Sequence, residues 1–117
     1  MHAIWIEIPV VDLARAKAFY EAVFTHAPTD VVDDGVRAIT VIAGEPTVSL
    51  NRTEGFSPSR AGSLPYFHVE GPLDAALDRV TAAGGAVVEP ATPRADLGLF
   101  ALVAASEGNA LHLHASS

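Results

Sequence analysis

Four short stretches of the chain alternate apolar residues with residues able to do chemistry. They are Trp5-Ile6-Glu7-Ile8, Val48-Ser49-Leu50-Asn51, Tyr66-Phe67-His68-Val69 and Leu111-His112-Leu113-His114. Successive side chains of a β-strand point to opposite faces, so one parity of each stretch gathers on one surface. That parity holds a carboxylate (Glu7), imidazoles (His68, His112), a hydroxyl and an amide (Ser49, Asn51), and two large rings (Trp5, Tyr66). Rings to stack on, with a few polar groups to orient a ligand, suit the lining of a small-molecule pocket. Glu7 lies between two isoleucines, which predicts a polar partner in the cavity. His68 and His112 are candidates for that partner, with imidazoles that ordinarily titrate near neutrality. The competing reading is plainer: outward faces of antiparallel sheets are polar because they meet water. Ser49, Asn51 and His114, at or near strand ends, fit that reading best.

Composition narrows the classes of function. The 117 residues carry 7 basic and 14 acidic side chains, a formal charge of −7, which offers no basic footprint for nucleic acid. Cysteine is absent, which removes disulfides, thiolate nucleophiles and sulfur-ligated metals. The longest near-continuous apolar run, Leu97–Ala105, is far short of the ~20 residues of a membrane span. No basic, apolar leader precedes Glu7, so a cytoplasmic protein is expected. With 50% hydrophobic residues the chain has ample apolar surface for one compact domain.

The elements that must position these residues alternate along the chain. A strand is expected over Ala3–Pro9, then a helix capped by Asp12, with Leu13, Ala16, Phe19, Tyr20, Val23 and Phe24 at helical spacing. Thr25–Gly35 reads as loop or ragged edge strand. Val36–Ile42 and Pro46–Asn51 read as a hairpin turning at Ala43-Gly44-Glu45. A second strand–helix unit follows over Leu64–Glu70 and Gly71-Pro72 onward, with Leu73, Ala76, Leu77 and Val80 as the buried stripe and Gly84-Gly85 as the stop. Short strands are expected at Ala86–Glu89, Gly98–Ala104 and Ala110–Ala115, with a loop at Pro90–Asp96 and a turn at Glu107-Gly108-Asn109. The chain thus divides into a module of about residues 1–52, a linker of about 53–63 and a module of about 64–117. Both modules run strand–helix–strand–strand–strand. Matching them residue by residue aligns Trp5-Ile6-Glu7-Ile8 with Tyr66-Phe67-His68-Val69. An α+β fold with the four polar strand faces around one hollow is expected. An open ferredoxin-like sheet, in an interaction module that dimerises by strand edges, is the alternative.

Three segments resemble the vicinal oxygen chelate superfamily, which holds glyoxalases, bleomycin-resistance proteins and extradiol dioxygenases. They are Glu7–Tyr20, the run from Tyr66-Phe67-His68-Val69 through Leu73–Leu77 to Ala83-Gly84-Gly85, and Glu107–His114. The resemblance implies paired βαβββ modules forming a partial barrel around a cavity, in a homodimer. Metal-dependent members place ligands on the first and fourth strands of each module, which fall here at Trp5, Ser49, Tyr66 and His112. Only His112 is a competent ligand for zinc, nickel or iron. The set Glu7, His68 and His112 would supply a carboxylate and two imidazoles, but a two-residue slip moves a ligand by ~6.6 Å. The resemblance therefore implies a glyoxalase-like protein that binds a small organic molecule, of resistance or sequestration type, with no metal or other cofactor. Trp5, Glu7, Ser49, Asn51, Tyr66, His68 and His112 would line its pocket. A metal-dependent lyase, isomerase or dioxygenase is the alternative.

Overall fold

The computed structural model describes residues 1–117. The elements run β1 (Trp5–Pro9), α1 (Leu13–Val23), β2 (Val31–Asp33), β3 (Arg37–Gly44), β4 (Thr47–Thr53), β5 (Tyr66–His68), α2 (Leu73–Ala82), β6 (Ala86–Pro93), β7 (Leu99–Ala104) and β8 (Ala110–Ala115). Two four-stranded mixed sheets result, ordered β1-β4-β3-β2 and β5-β8-β7-β6, with the first and last strand of each module parallel. The fold is α+β, two βαβββ modules whose sheets remain unclosed as a partial barrel.

Local chemistry accounts for the boundaries. Asp12 caps α1, its carboxylate accepting from the Arg15 N–H at 3.0 Å. Gly84, at φ +97°, ends α2 in a conformation that L side chains rarely adopt. β2 is a real strand, but its three residues are exposed and pair with β3 alone, which left little signal in the sequence. Ile42 bulges out of the β3–β4 ladder, and the hairpin turns at Glu45-Pro46 rather than over Ala43-Gly44-Glu45. β6 runs on to Pro93 despite Pro90, because it is an edge strand with broken register where a missing N–H is tolerated.

The apolar parity of both sheets faces the helices. One core of 21 residues draws on both modules, from Ile8 and Leu50 to Val69 and Leu113. The helices carry the junction. Arg79 donates to the Val23 carbonyl at the end of α1 (3.0 Å), and Phe24 meets Phe67 edge to face at 5.6 Å. Phe19 of α1 sits where a Cβ on Gly85 would lie, 2.7 Å from its ring carbon, with the Ala104 carbonyl at 2.6 Å. Gly85→Ala should therefore cost about 1–3 kcal/mol through overpacking, read as a lower urea midpoint with unchanged slope.

The β7–β8 turn clasps the first module. Glu107, whose side chain is 1% exposed, accepts from the backbone N–H groups of Val11 (3.1 Å) and Asp12 (2.8 Å) and pairs in a fork with Arg15 at 2.8 and 3.0 Å. Asn109 donates to the Pro9 carbonyl (2.7 Å) and accepts from the Ser59 N–H (3.0 Å), which pins the linker as well. The Arg15 hydrogen bond, opposed by burial and aided by the Asp12 N–H, holds the Glu107 carboxyl down at about 2. A carboxyl depressed in the folded state stabilises above its unfolded value of 4.5 and loses that contribution as pH falls toward about 2. Glu107→Gln should cost about 1–3 kcal/mol at pH 7, the exposed Arg15 discounting the full shift, and should flatten the loss of stability between pH 5 and 2. Thermal melts of both proteins across that range measure it.

Candidate functional site

The polar parity of each sheet is arranged in hydrogen-bonded or stacked pairs. On the first sheet the Trp5 indole N–H donates to Ser49 Oγ at 3.0 Å, and Asn51 Nδ2 donates to Glu7 Oε2 at 2.6 Å. Ser49 and Asn51 are buried, whereas Trp5 and Glu7 are exposed above them. On the second sheet the rings of Tyr66 and His112 stack at 4.3 Å, and His68 Nδ1 lies 2.9 Å from His114 Nδ1. His112 is buried; Tyr66 is half-exposed.

The partners differ from those the sequence suggested. Glu7 is exposed and bonds to Asn51, not to either histidine. His68 pairs with His114, a residue that sequence reading set aside as solvated. His114 also bonds through Nε2 to the Leu97 carbonyl at 2.6 Å and packs on Phe100. Its signal was its place two residues beyond His112 on the same strand. No hydrogen bond, ion pair or ring contact joins the polar set of one sheet to that of the other within the chain.

Register corrects the match between modules. The Val10 N–H bonds to the Asn51 carbonyl, and the Val69 N–H bonds to the His114 carbonyl. Glu7 stands opposite Ser49, and Tyr66 opposite His112. Val10 is thus equivalent to Val69, Glu7 to Tyr66, and Trp5 to Leu64. The connector before the helix is one residue longer in the second module, and Gly71 at φ +81° lies within it.

Two cavities touch these residues. A groove of about 460 Å³ separates β1 from the starts of β5 and β8; Trp5 and Glu7 line it with Ser59, Leu64, Pro65 and Asn109. A smaller cavity of about 160 Å³ lies between the modules, walled by Tyr20, Phe24, Ile42, Phe67 and His68. Ser49, Asn51, Tyr66 and His112 line neither. We take the groove as the candidate site, since it carries both Trp5 and Glu7 whereas the smaller cavity carries only His68 of the expected pocket residues.

The model of the glyoxalase/bleomycin resistance protein/dioxygenase superfamily matches residues 2–113. The chain belongs to that superfamily. Solved structures agree with this membership at the level of the fold. A glyoxalase/bleomycin resistance protein/dioxygenase family enzyme from Burkholderia phytofirmans PsJN is 16% identical, with 97% of this chain and 98% of that one covered at a TM-score of 0.75. A glyoxalase/bleomycin resistance protein from Albidiferax ferrireducens T118 is 24% identical, with 98% of each chain covered and a TM-score of 0.67. The fosfomycin resistance protein FosX from Listeria monocytogenes, complexed with Mn(II) and sulfate, is 21% identical, with 100% and 90% covered and a TM-score of 0.68. The search of curated proteins gave no match. No helix of the chain is long and apolar enough to cross a membrane.

The residues at the ligand positions implied for metal-dependent superfamily members do not fit a divalent ion. Trp5 spends its only ring N–H on Ser49, and an indole has no lone pair to offer. Leu64, the register equivalent of Trp5, carries no donor. Tyr66, if taken instead, stacks face to face on His112 rather than aiming its hydroxyl beside it. Nor do Glu7, His68 and His112 converge: no three His, Asp or Glu side chains surround a common point.

His112 is left as a single imidazole whose buried Nδ1 has no hydrogen-bond partner. Burial, with the nearby Arg94 charge, lowers its pKa below the ordinary 6.5, so it is neutral at pH 7. Because the unfolded chain binds this proton more readily, His112 costs stability as pH drops below about 6.5. NMR titration of the five histidines should show His112 among the last to protonate, and His112→Gln should remove that part of the pH dependence.

Proposed function

We propose that the chain is a glyoxalase-like protein that binds a small, flat, neutral or cationic organic molecule in the groove beside β1. The observation that carries this reading is Trp5: half-exposed, facing the groove, and fixed in orientation by its bond to buried Ser49. An oriented indole is a stacking platform obtained at little entropic cost. Glu7, held by Asn51 on the same wall, supplies an acceptor, and the charge of −7 favours cations over anions. Resistance proteins of the superfamily give this reading its biological sense, since sequestration needs only binding. The half-exposed rings of Trp5 and Tyr66 also suit a homodimer in which a second copy covers the open sheet faces.

A metal-dependent lyase, isomerase or dioxygenase is the second reading. Unpartnered His112 and the Mn(II)-bound FosX relative favour it, while the donor set around His112 does not.

Trp5 is the only tryptophan, so its fluorescence reports on the groove alone. Proflavine, a planar aromatic cation, is expected to quench that emission saturably and to raise the melting temperature. Trp5→Ala should abolish the thermal shift, Trp5→Phe should keep part of it, and Glu7→Gln should weaken it severalfold. A shift that persists unchanged in Trp5→Ala, or no saturable quenching by proflavine, bleomycin or other drug cations, overturns the proposal. Sedimentation of the same samples tests the dimer; a monomer at every concentration removes it.

A further inference from the structure

We propose that the small cavity at the junction of the two modules is a binding site in its own right, for uncharged single-ring aromatic alcohols of the phenol class. It shares no residue with the groove that Trp5 lines. Its floor is aromatic. Tyr20 and Phe24, at the end of α1, hold their rings within 7° of parallel with centroids 6.2 Å apart, and Phe67 of β5 stands edge-on to Phe24. Ile42, the residue that bulges out of the β3–β4 ladder, forms a further side. Phe24, Ile42 and Phe67 pack against the core yet remain only half-buried. Three large apolar side chains thus keep a free face, and covering them with an apolar ring is favourable.

Size and polarity narrow the occupant. A volume of about 160 Å³ matches the ~150 Å³ at which an apolar cavity accepts one benzene ring. Ala43, His26 and His68 are exposed and mark the mouth, with half-buried Glu21 on the same wall set. The unspent polar atoms of Glu21 and His26 accept rather than donate. His26 Nδ1 lies 2.6 Å from the Ala27 carbonyl, which can only accept, so Nδ1 carries the proton and the neutral ring leaves Nε2 bare. Glu21 takes both the Lys17 ammonium (2.8 Å) and the Thr29 N–H (3.0 Å) on Oε2, which leaves Oε1 without a partner. His68, by contrast, keeps its Nδ1 against His114. A ligand must therefore bring a donor. Because Lys17 already balances the Glu21 charge, a neutral hydroxyl suits the mouth better than an ammonium. A phenol has this division, an apolar body with one polar end.

Calorimetric titration of the full chain with phenol at pH 7.5, and with benzene as the ring lacking a donor, tests this. Phenol is expected to bind saturably at one equivalent with submillimolar affinity, and benzene about tenfold more weakly. Ala43→Phe, which fills the mouth from an exposed position, should abolish both, as should Ile42→Phe. Circular dichroism identifies any variant that has lost its fold, and the other then decides. A Glu21→Ala, His26→Ala double variant should weaken phenol about tenfold yet leave benzene within about twofold, a difference that mere loosening of the cavity would not produce. Trp5→Ala, which removes the proflavine platform, should bind phenol as the parent does, so this proposal and the groove reading can fail separately. Absence of saturable phenol binding, binding that survives the filling substitutions, equal losses of phenol and benzene in the double variant, or loss in Trp5→Ala each overturns the proposal. Phenol uptake that falls as protein concentration rises overturns it too, since a second copy would then occupy the mouth.

Discussion

A single buried carboxylate sets how the two halves of this molecule meet. Glu107 belongs to a tight turn of the second module, yet all four of its hydrogen bonds to backbone N–H and guanidinium groups go to the start of α1 in the first. The first turn of a helix is where unpaired N–H groups and a positive dipole end favour an anion, so the partnership is chemically natural. With Asn109 on the Pro9 carbonyl, it fixes the end of β1 against the β7–β8 turn. The groove along β1 exists because these two contacts hold the modules side by side while the helices, rather than the strands, bury the apolar interface.

From that frame the polar faces follow. Each sheet must turn its apolar parity to the helices, so the opposite parity is exposed and is free to carry function. Pairing then divides the labour: buried Ser49, Asn51 and His112 orient the more exposed Trp5, Glu7 and Tyr66. The chemistry differs between the sheets. One offers an indole and a carboxylate; the other is an aromatic and imidazole surface of Tyr66, Phe100, His112, His68 and His114.

Parity was legible in the sequence and register was not. The alternation of Ile6/Glu7/Ile8 and of Phe67/His68/Val69 predicts which side chains share a face, and it also exposed the duplicated modules. A shift of two residues leaves every face unchanged, however, so alternation alone could not decide whether Glu7 corresponds to His68 or to Tyr66. Only the bonds from Val10 and Val69 decide it. The Glu107 clasp was illegible for a different reason: it joins residues more than ninety positions apart through side chains, with no periodic pattern to betray it. The superfamily motifs carried the topology, while Pro90 concealed the extension of β6.

The edge strands β2 and β6 are poor templates for pairing. β2 has only three residues, and β6 is interrupted by Pro90 and by two breaks in its ladder. Neither β2 nor β6 presents a long, regular row of free N–H and C=O groups, so edge-to-edge pairing of copies through these two strands is discouraged.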